Sequence, residues 1–196
     1  MIIGIAGGIG SGKTTVAELF KVDKFGVINT DLIAAELRID PEFKKKLVEL
    51  LGDSVLEDDE ISKEKLLEAI LSDELRPKIN AIFHPAILAR VNEKLKKLNH
   101  DGVFDIVIDA PIFKQLGLLP LVEVLIYVKS NLGNRILRIK KRKNYVEETI
   151  SKLILIQSGE EDLEKTASFV IENNGTENEL KEKVYEIINK IRNIRG

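Results

Sequence analysis

The chain opens on Ile2-Ile3-Gly4-Ile5-Ala6, a short apolar run closed by glycines, and this pattern predicts a buried strand. Residues Gly7 to Gly12 read as a glycine-rich turn. From Lys13 to about Lys24 apolar positions recur at helical spacing, with Val16, Leu19 and Phe20 on one face. Gly26 breaks that helix, and Val27-Ile28-Asn29 predicts a very short second strand. Residues 31 to about 100 read as mostly helical. Within them Asp40-Pro41 is a helix start, with Asp as N-cap and Pro in the first turn, and Gly52 is a stop after Leu47, Leu50 and Leu51. Glu57-Asp58-Asp59-Glu60 reads as a solvated acidic turn.

Asn99-His100-Asp101-Gly102 is a turn cluster, followed by an apolar strand from Val103 to Asp109 that ends in a carboxylate. Val122 to Val128 is a further strand, and 131–158 is helical with a dense basic section. Phe169-Val170-Ile171 runs as a short strand into the turn Asn173-Asn174-Gly175, and 176–195 closes the chain as an amphipathic helix. Strands separated by helices pair in parallel through crossovers, which makes this an α/β fold. There is no repeat, low-complexity tract or long linker.

Composition narrows the function. With 196 residues, 44% hydrophobic and 32% charged, the chain is globular and fits one domain. Its 30 basic and 32 acidic residues leave a net charge of −2, unlike the strongly basic footprint of a nucleic-acid-binding protein. No cysteine is present, which removes thiolate nucleophiles, disulfides and zinc–sulfur sites, and two histidines make a His-rich metal site poorly supported. No apolar run has transmembrane length and the start lacks a charged leader region, so a cytoplasmic protein without membrane contact is expected.

The strongest chemical signal is Gly7-Gly8-Ile9-Gly10-Ser11-Gly12-Lys13-Thr14, the pattern Gly, four residues, Gly-Lys-Ser/Thr of a phosphate-binding loop. Glycines let the backbone turn N–H groups onto phosphate oxygens, and the helix that follows aims its positive end at the same place. Gly8, Gly10, Ser11, Gly12 and Thr15 belong to this cradle; Lys13 can reach the β- and γ-phosphates, and the Thr14 hydroxyl can ligate Mg²⁺. A GTPase is excluded by context. The only Asp-x-x-Gly, Asp23 to Gly26, ends the first helix, and no Asn/Thr-Lys-x-Asp occurs. A small-molecule kinase remains, and it needs an acceptor site, a base and mobile cations.

Three constellations supply them. Asp31 follows the second strand, at the sheet edge that carries ligands in open parallel sheets, and is the candidate base for an acceptor hydroxyl; its structural alternative is to cap the helix over 32–37. Asp109 ends an apolar strand and is the candidate second magnesium element, with a capping role before Pro111 as the alternative. Arg135, Arg138 and Arg142 share one helix face within the basic section; Arg138 and Arg142 are the lid candidates, while Lys140, Lys141 and Lys143 read as a solvated face. His84, before Pro85 at what reads as a helix start, is a capping or packing residue.

These residues resemble the dephospho-CoA kinase family over most of the chain. The loop through Ala17 is nearly the family's own, and Val27-Ile28-Asn29-Thr30-Asp31-Leu32-Ile33-Ala34 resembles its Asp-containing segment. Ile79-Asn80-Ala81-Ile82-Phe83-His84-Pro85 is similar to its "Leu-Asn-x-x-x-His-Pro", and Gln157 followed by Ile171-Glu172-Asn173-Asn174-Gly175 is similar to its closing pattern. The resemblance implies a single three-layer P-loop kinase domain over 1–196, nucleoside-kinase-like, with a five-stranded parallel sheet. It further implies a helical insert at about 33–95 for the CoA portion and a lid at about 131–158. The implied reaction is phosphoryl transfer from ATP, with Mg²⁺, to the ribose 3′-hydroxyl of dephospho-CoA. Asp31 would be the base, Lys13 and Arg142 catalytic cations, Arg138 a lid contact to the nucleotide, and Asn173 would lie on the adenine side. The expected state is a monomer or weak homo-oligomer. Departures stand at Asn29, where the family has the first Asp of a pair, at Lys114-Gln115, where its Glu is lost, and at Ala167-Ser168, where its Asp is lost; aligning the lid also takes one inserted residue before Arg138. Another small P-loop kinase acting on a nucleotide or small alcohol is the alternative, and a non-catalytic nucleotide sensor is a third reading.

Overall fold

In the computed structural model the backbone is described for residues 1–143 and 145–195; of Arg142, Lys143, Ile194 and Arg195 only the backbone is described. The elements in chain order are β1 (Ile2–Ala6), α1 (Lys13–Val22), β2 (Gly26–Asn29), α2 (Thr30–Ile39), α3 (Pro41–Leu51), β3 (Leu56–Glu57), β4 (Glu60–Ile61), α4 (Lys63–Leu71), α5 (Leu75–His100), β5 (Ile106–Asp109), β6 (Val124–Lys129), α6 (Leu132–Lys143), α7 (Glu147–Ile156), α8 (Leu163–Thr166), β7 (Phe169–Glu172) and α9 (Glu177–Arg195).

The central sheet has five strands in the order β2-β5-β1-β6-β7, all parallel. Alternation along each strand splits the core into two layers. Ile3, Ile5, Val107, Ile126 and Val128 face α1 and α9, where they meet Val16, Phe20, Val184 and Ile188. Ala6, Ile106, Ile108, Leu125 and Tyr127 face the other way, toward Ile33, Leu47, Ile79 and Val91 of the helices between β2 and β5. The result is the expected three-layer α/β arrangement. Gly4 sits mid-strand because the Phe113 ring occupies its side-chain position: a Cβ there would lie 2.6 Å from the ring.

Several local expectations hold for the stated reasons. Asp40 caps α3 by accepting from the Phe43 N–H at 3.0 Å, with Pro41 in the first turn, and Gly52 ends α3 at φ 77°. Others are corrected. Gly26 is the first residue of β2 rather than a break, because its N–H donates to the Asp105 carbonyl at 2.8 Å. The acidic turn is the tip of a two-stranded antiparallel hairpin, β3–β4, inside the region read as helical. Asp58 and Asp59 have φ of 49° and 62°, the doubly left-handed turn that tight hairpins favour. The segment 131–158, read as helical, carries α6 and α7 among the described residues. No helix starts at Pro85: α5 runs through it, and His84 lies mid-helix, with Phe83 and Ile87 of the same helix in the core. Tertiary packing along α5 overrides the loss of one N–H donor at Pro85.

Candidate active site

The parallel sheet places the C-terminal ends of β1, β2 and β5 side by side. In register, Ile5 pairs with Asp109 and Asn29 with Asp109, so whatever follows these residues converges on one spot. The glycine-rich loop leaves β1 there and enters α1 through Gly12, whose φ of 104° needs glycine. Lys13 is the first residue of α1 and is buried; its Nζ donates to the Gly8 carbonyl at 3.2 Å, folding the side chain back over the loop. Thr14 follows, and its Oγ1 donates to Asp109 Oδ2 at 2.9 Å. Thr15 lies one position further along the same turn.

Asp109 is 3% exposed, and the same Oδ2 accepts from the Asn29 carboxamide at 2.8 Å. Its carboxylate therefore faces the phosphate loop and does not cap the turn before Pro111. Burial raises its pKa, opposed by the Lys13 charge and the Thr14 hydrogen bond. Lys13 is shifted down by burial, opposed by Asp109 and Asp31. Asp31 thus lies within electrostatic reach of both groups. It is not the helix cap. Asn29 holds that position, its Oδ1 accepting from the Leu32 N–H at 3.0 Å. Asp31 is left exposed on the first turn of α2, and with Thr14 and Asn29 it lines a groove of about 470 Å³ that continues past Glu18 and Leu32.

The outer side of the loop is held by residues far away in sequence. Arg135 Nε donates to the Ile9 carbonyl at 2.9 Å, and Arg138 donates to Gly10 and Ser11 carbonyls at 3.2 and 3.3 Å. Asn173, buried after β7, donates to the Ser11 carbonyl at 2.7 Å. Arg138 also binds the Ser130 hydroxyl and the Asn173 carbonyl, at 3.1 and 2.9 Å. In a trans peptide, C=O and the following N–H point oppositely. Holding the Ile9 and Ser11 carbonyls outward therefore turns the N–H groups of Gly10 and Gly12 inward. The loop glycines make this contact possible: a Cβ on Gly8 or Gly12 would overlap the Arg135 guanidinium or the Asn173 amide, and one on Gly10 would lie 2.6 Å from the Arg135 carbonyl.

The segment after α7 is anchored to the loop too. Gln157 accepts from the Ile9 N–H at 2.7 Å. Glu160, 2% exposed, accepts from the N–H groups of Lys114 and Gln115 at 2.9 and 3.1 Å, so a buried carboxylate sits against that segment. His84 has a buried Nε2 with no hydrogen-bond partner among the described residues, and burial lowers its pKa, which makes it a neutral packing residue. The Arg142 side chain lies outside the described residues. The sequence points to no role for Glu160; Arg135 stands out there only by its helical spacing with Arg138, and Gln157 only as part of the closing pattern.

A parallel three-layer sheet, a phosphate loop after its central strand and two carboxylates at neighbouring strand ends define a P-loop kinase of small substrates. The chain belongs to the dephospho-CoA kinase family, whose model matches residues 1–179. A dephospho-CoA kinase of Bacillus cereus is 33% identical over 194 residues, covering 97% of this chain and 96% of the relative. One from Photobacterium profundum is 32% identical over 194 residues, covering 97% and 95%. Among solved structures, TT1252 from Thermus thermophilus has a TM-score of 0.79 at 26% identity, covering 97% of each chain. A dephospho-CoA kinase from Campylobacter jejuni has a TM-score of 0.69 at 21% identity, covering 100% and 98%. A shikimate kinase from Acinetobacter baumannii in complex with shikimate, TM-score 0.57 at 15% identity and covering 98% and 93%, shares the fold. The chain is thus an ATP-using kinase whose reaction, phosphorylation of the dephospho-CoA ribose 3′-hydroxyl, is the final step of coenzyme A synthesis.

Proposed function

We propose that the groove at the ends of β1, β2 and β5 performs this transfer with residues of one chain, acting as a monomer or weak homo-oligomer in the cytoplasm. The observation that carries the assignment of roles is the exposed Asp31 beside Thr14 and the buried Lys13 and Asp109. The amides of Gly8, Gly10, Ser11 and Gly12, with those of Lys13, Thr14 and Thr15 at the helix start, bind the phosphates, and Lys13 leaves the Gly8 carbonyl for the β- and γ-oxygens. Asp31 accepts the 3′-hydroxyl proton as the oxygen attacks the γ-phosphorus, and its exposure lets the acceptor reach it. The insert at 33–95 receives the acceptor, and the lid at 131–158 closes over the nucleotide with Arg142. Arg138 and Asn173 hold the loop toward the nucleotide, Asn173 on the adenine side.

Mg²⁺ fits the donor set. Thr14 Oγ1 and Asp109 Oδ2, 2.9 Å apart, are hard oxygen donors at the loop, and among the described residues no acidic or histidine cluster could hold a metal alone. Such an ion would take its remaining ligands from phosphate and water, and would neutralise charge between the β- and γ-phosphates.

Incubation with ATP, Mg²⁺ and either dephospho-CoA, AMP, CMP or shikimate, followed by detection of ADP and phosphorylated product, tests the reading. Product is expected with dephospho-CoA. Product only with another acceptor overturns the substrate assignment, and no product with any acceptor supports a sensor.

A further inference from the structure

We propose that Arg135 is a further catalytic residue, its guanidinium engaging the terminal phosphate of the nucleotide. The proposal rests on the phosphoryl-transfer reading of the loop.

Arg135 and Arg138 lie one helical turn apart on α6, yet they are used differently. Arg138 commits both Nη groups to protein acceptors, namely the Gly10, Ser11 and Asn173 carbonyls and the Ser130 hydroxyl. It is a positioning residue for the loop. Arg135 commits Nε to the Ile9 carbonyl, which fixes the plane of its fork, and lays both Nη atoms against Gly8. The first turn of α6 is pressed onto the loop, with the Arg135 carbonyl against Gly10, so the guanidinium is placed by backbone contact and not by a mobile stem alone.

Gly8 is also where Lys13 Nζ rests. Two cations therefore converge on one residue, at 8% and 9% exposure. Like charges brought together away from water repel strongly. The ion partner of Arg135 among the described residues is Glu161 at 3.9 Å, a carboxylate 68% exposed, too remote and too solvated to offset that repulsion. Asp109 and Asp31 attract Lys13 and the Ile9 carbonyl holds Arg135 Nε, but the Arg135 Nη atoms face only the exposed Glu161 among the described carboxylates paired with it. A triphosphate in the loop would supply the missing partner, since its terminal oxygens carry the charge both cations face.

In the transfer step the acceptor oxygen forms a bond to the γ-phosphorus and the bond from that phosphorus to the β–γ bridging oxygen breaks. The electron pair leaves with ADP, and the hydroxyl proton passes to Asp31. A planar fork over Gly8 spans two oxygens of the transferring group, which a lysine point charge cannot do.

The test is equilibrium binding of ATP, ADP and AMP, without acceptor, to the wild type and to Arg135→Ala and Arg135→Lys, with steady-state turnover alongside. Arg135→Ala is expected to weaken ATP about tenfold more than ADP and to leave AMP unchanged, with Arg135→Lys in between. Its kcat is expected to fall about 100-fold or more and to recover in part with added guanidinium ion. Equal loss for ATP and ADP, or no loss, overturns the proposal in favour of loop positioning alone. If Arg135→Ala melts below assay temperature, Arg135→Gln reads the same ATP-to-ADP ratio. Binding needs no acceptor, so an inactive wild type toward dephospho-CoA would sink the substrate reading without touching this result.

Discussion

Asn29 donates its carboxamide N–H to Asp109 across adjacent strands, at 2.8 Å, while its carbonyl caps α2. One side chain thus does two jobs at the strand end where the family has a carboxylate. The amide is a donor facing a buried acceptor, so this pair satisfies itself without a proton or an ion between its members. Asn29→Asp keeps the cap but sets two carboxylates against each other. The nucleotide-free variant is expected to melt below the wild type at pH 8, with the gap shrinking toward pH 5 as the pair takes up a proton. Thermal melts across that range check it; an unchanged melting temperature at pH 8 would contradict the donor role.

Asp109 makes a different pH prediction. Burial raises its pKa above the ordinary value of 3.8 even though Lys13 pulls it down, so the net effect of the fold is to disfavour the ionised form. The penalty is absent below the ordinary value, grows as pH rises through the raised one, and is complete above it. Asp109→Asn retains an acceptor for Thr14 and Asn29 but removes the charge. It is expected to match or exceed the wild-type melting temperature at pH 7.5, with the advantage vanishing toward pH 4, while turnover drops. A variant less stable at pH 7.5 than at pH 4, relative to wild type, would refute this.

Asp31→Asn should separate chemistry from binding. The side chain is exposed and Asn29, not Asp31, caps the helix, so stability is expected to hold. Loss of the proton acceptor should lower kcat about 100- to 10,000-fold with the KM for ATP within a few-fold. Near-full turnover would remove Asp31 from the mechanism.

Asn173→Ala deletes a buried donor to the Ser11 carbonyl. Arg138 still reaches that carbonyl, so the expected cost is about 1–2 kcal/mol in denaturant unfolding, with a raised KM for ATP as the loop loosens. A stability loss with no change in KM would mean that the loop geometry does not depend on Asn173.

Glu160→Gln replaces a buried carboxylate that accepts two backbone N–H groups by an amide with one acceptor atom. One N–H, of Lys114 or Gln115, then faces a donor, and destabilisation of about 2–3 kcal/mol is expected in chemical denaturation. An unaffected unfolding midpoint would show that water replaces the lost contact.

What could be read along the chain was whatever depends on neighbours in sequence. The phosphate loop is eight consecutive residues, and its conformation follows from glycine φ freedom and the helix that begins at Lys13. Asp40-Pro41 and Gly52 mark helix ends by local hydrogen bonding, and strand-helix alternation implies parallel pairing wherever the strands end up. Asp31 and Asp109 were legible as candidates because one follows an apolar strand and the other ends one. Whether either one caps a helix or turn was not. It turned on Asn29, which took the cap of α2, and on strand register, which set Asp109 beside Thr14, 95 positions away. Arg135, Arg138 and Asn173 reach the loop from more than 120 positions away, and Glu160 reaches Lys114 from 46. The spacing of Arg135 and Arg138 marks one helix face, but nothing along the sequence says which carbonyls or N–H groups these four residues meet. The loop contacts exist because packing of α6 and β7 against the loop buries its carbonyls, and a buried carbonyl needs a donor, which only the folded chain can select.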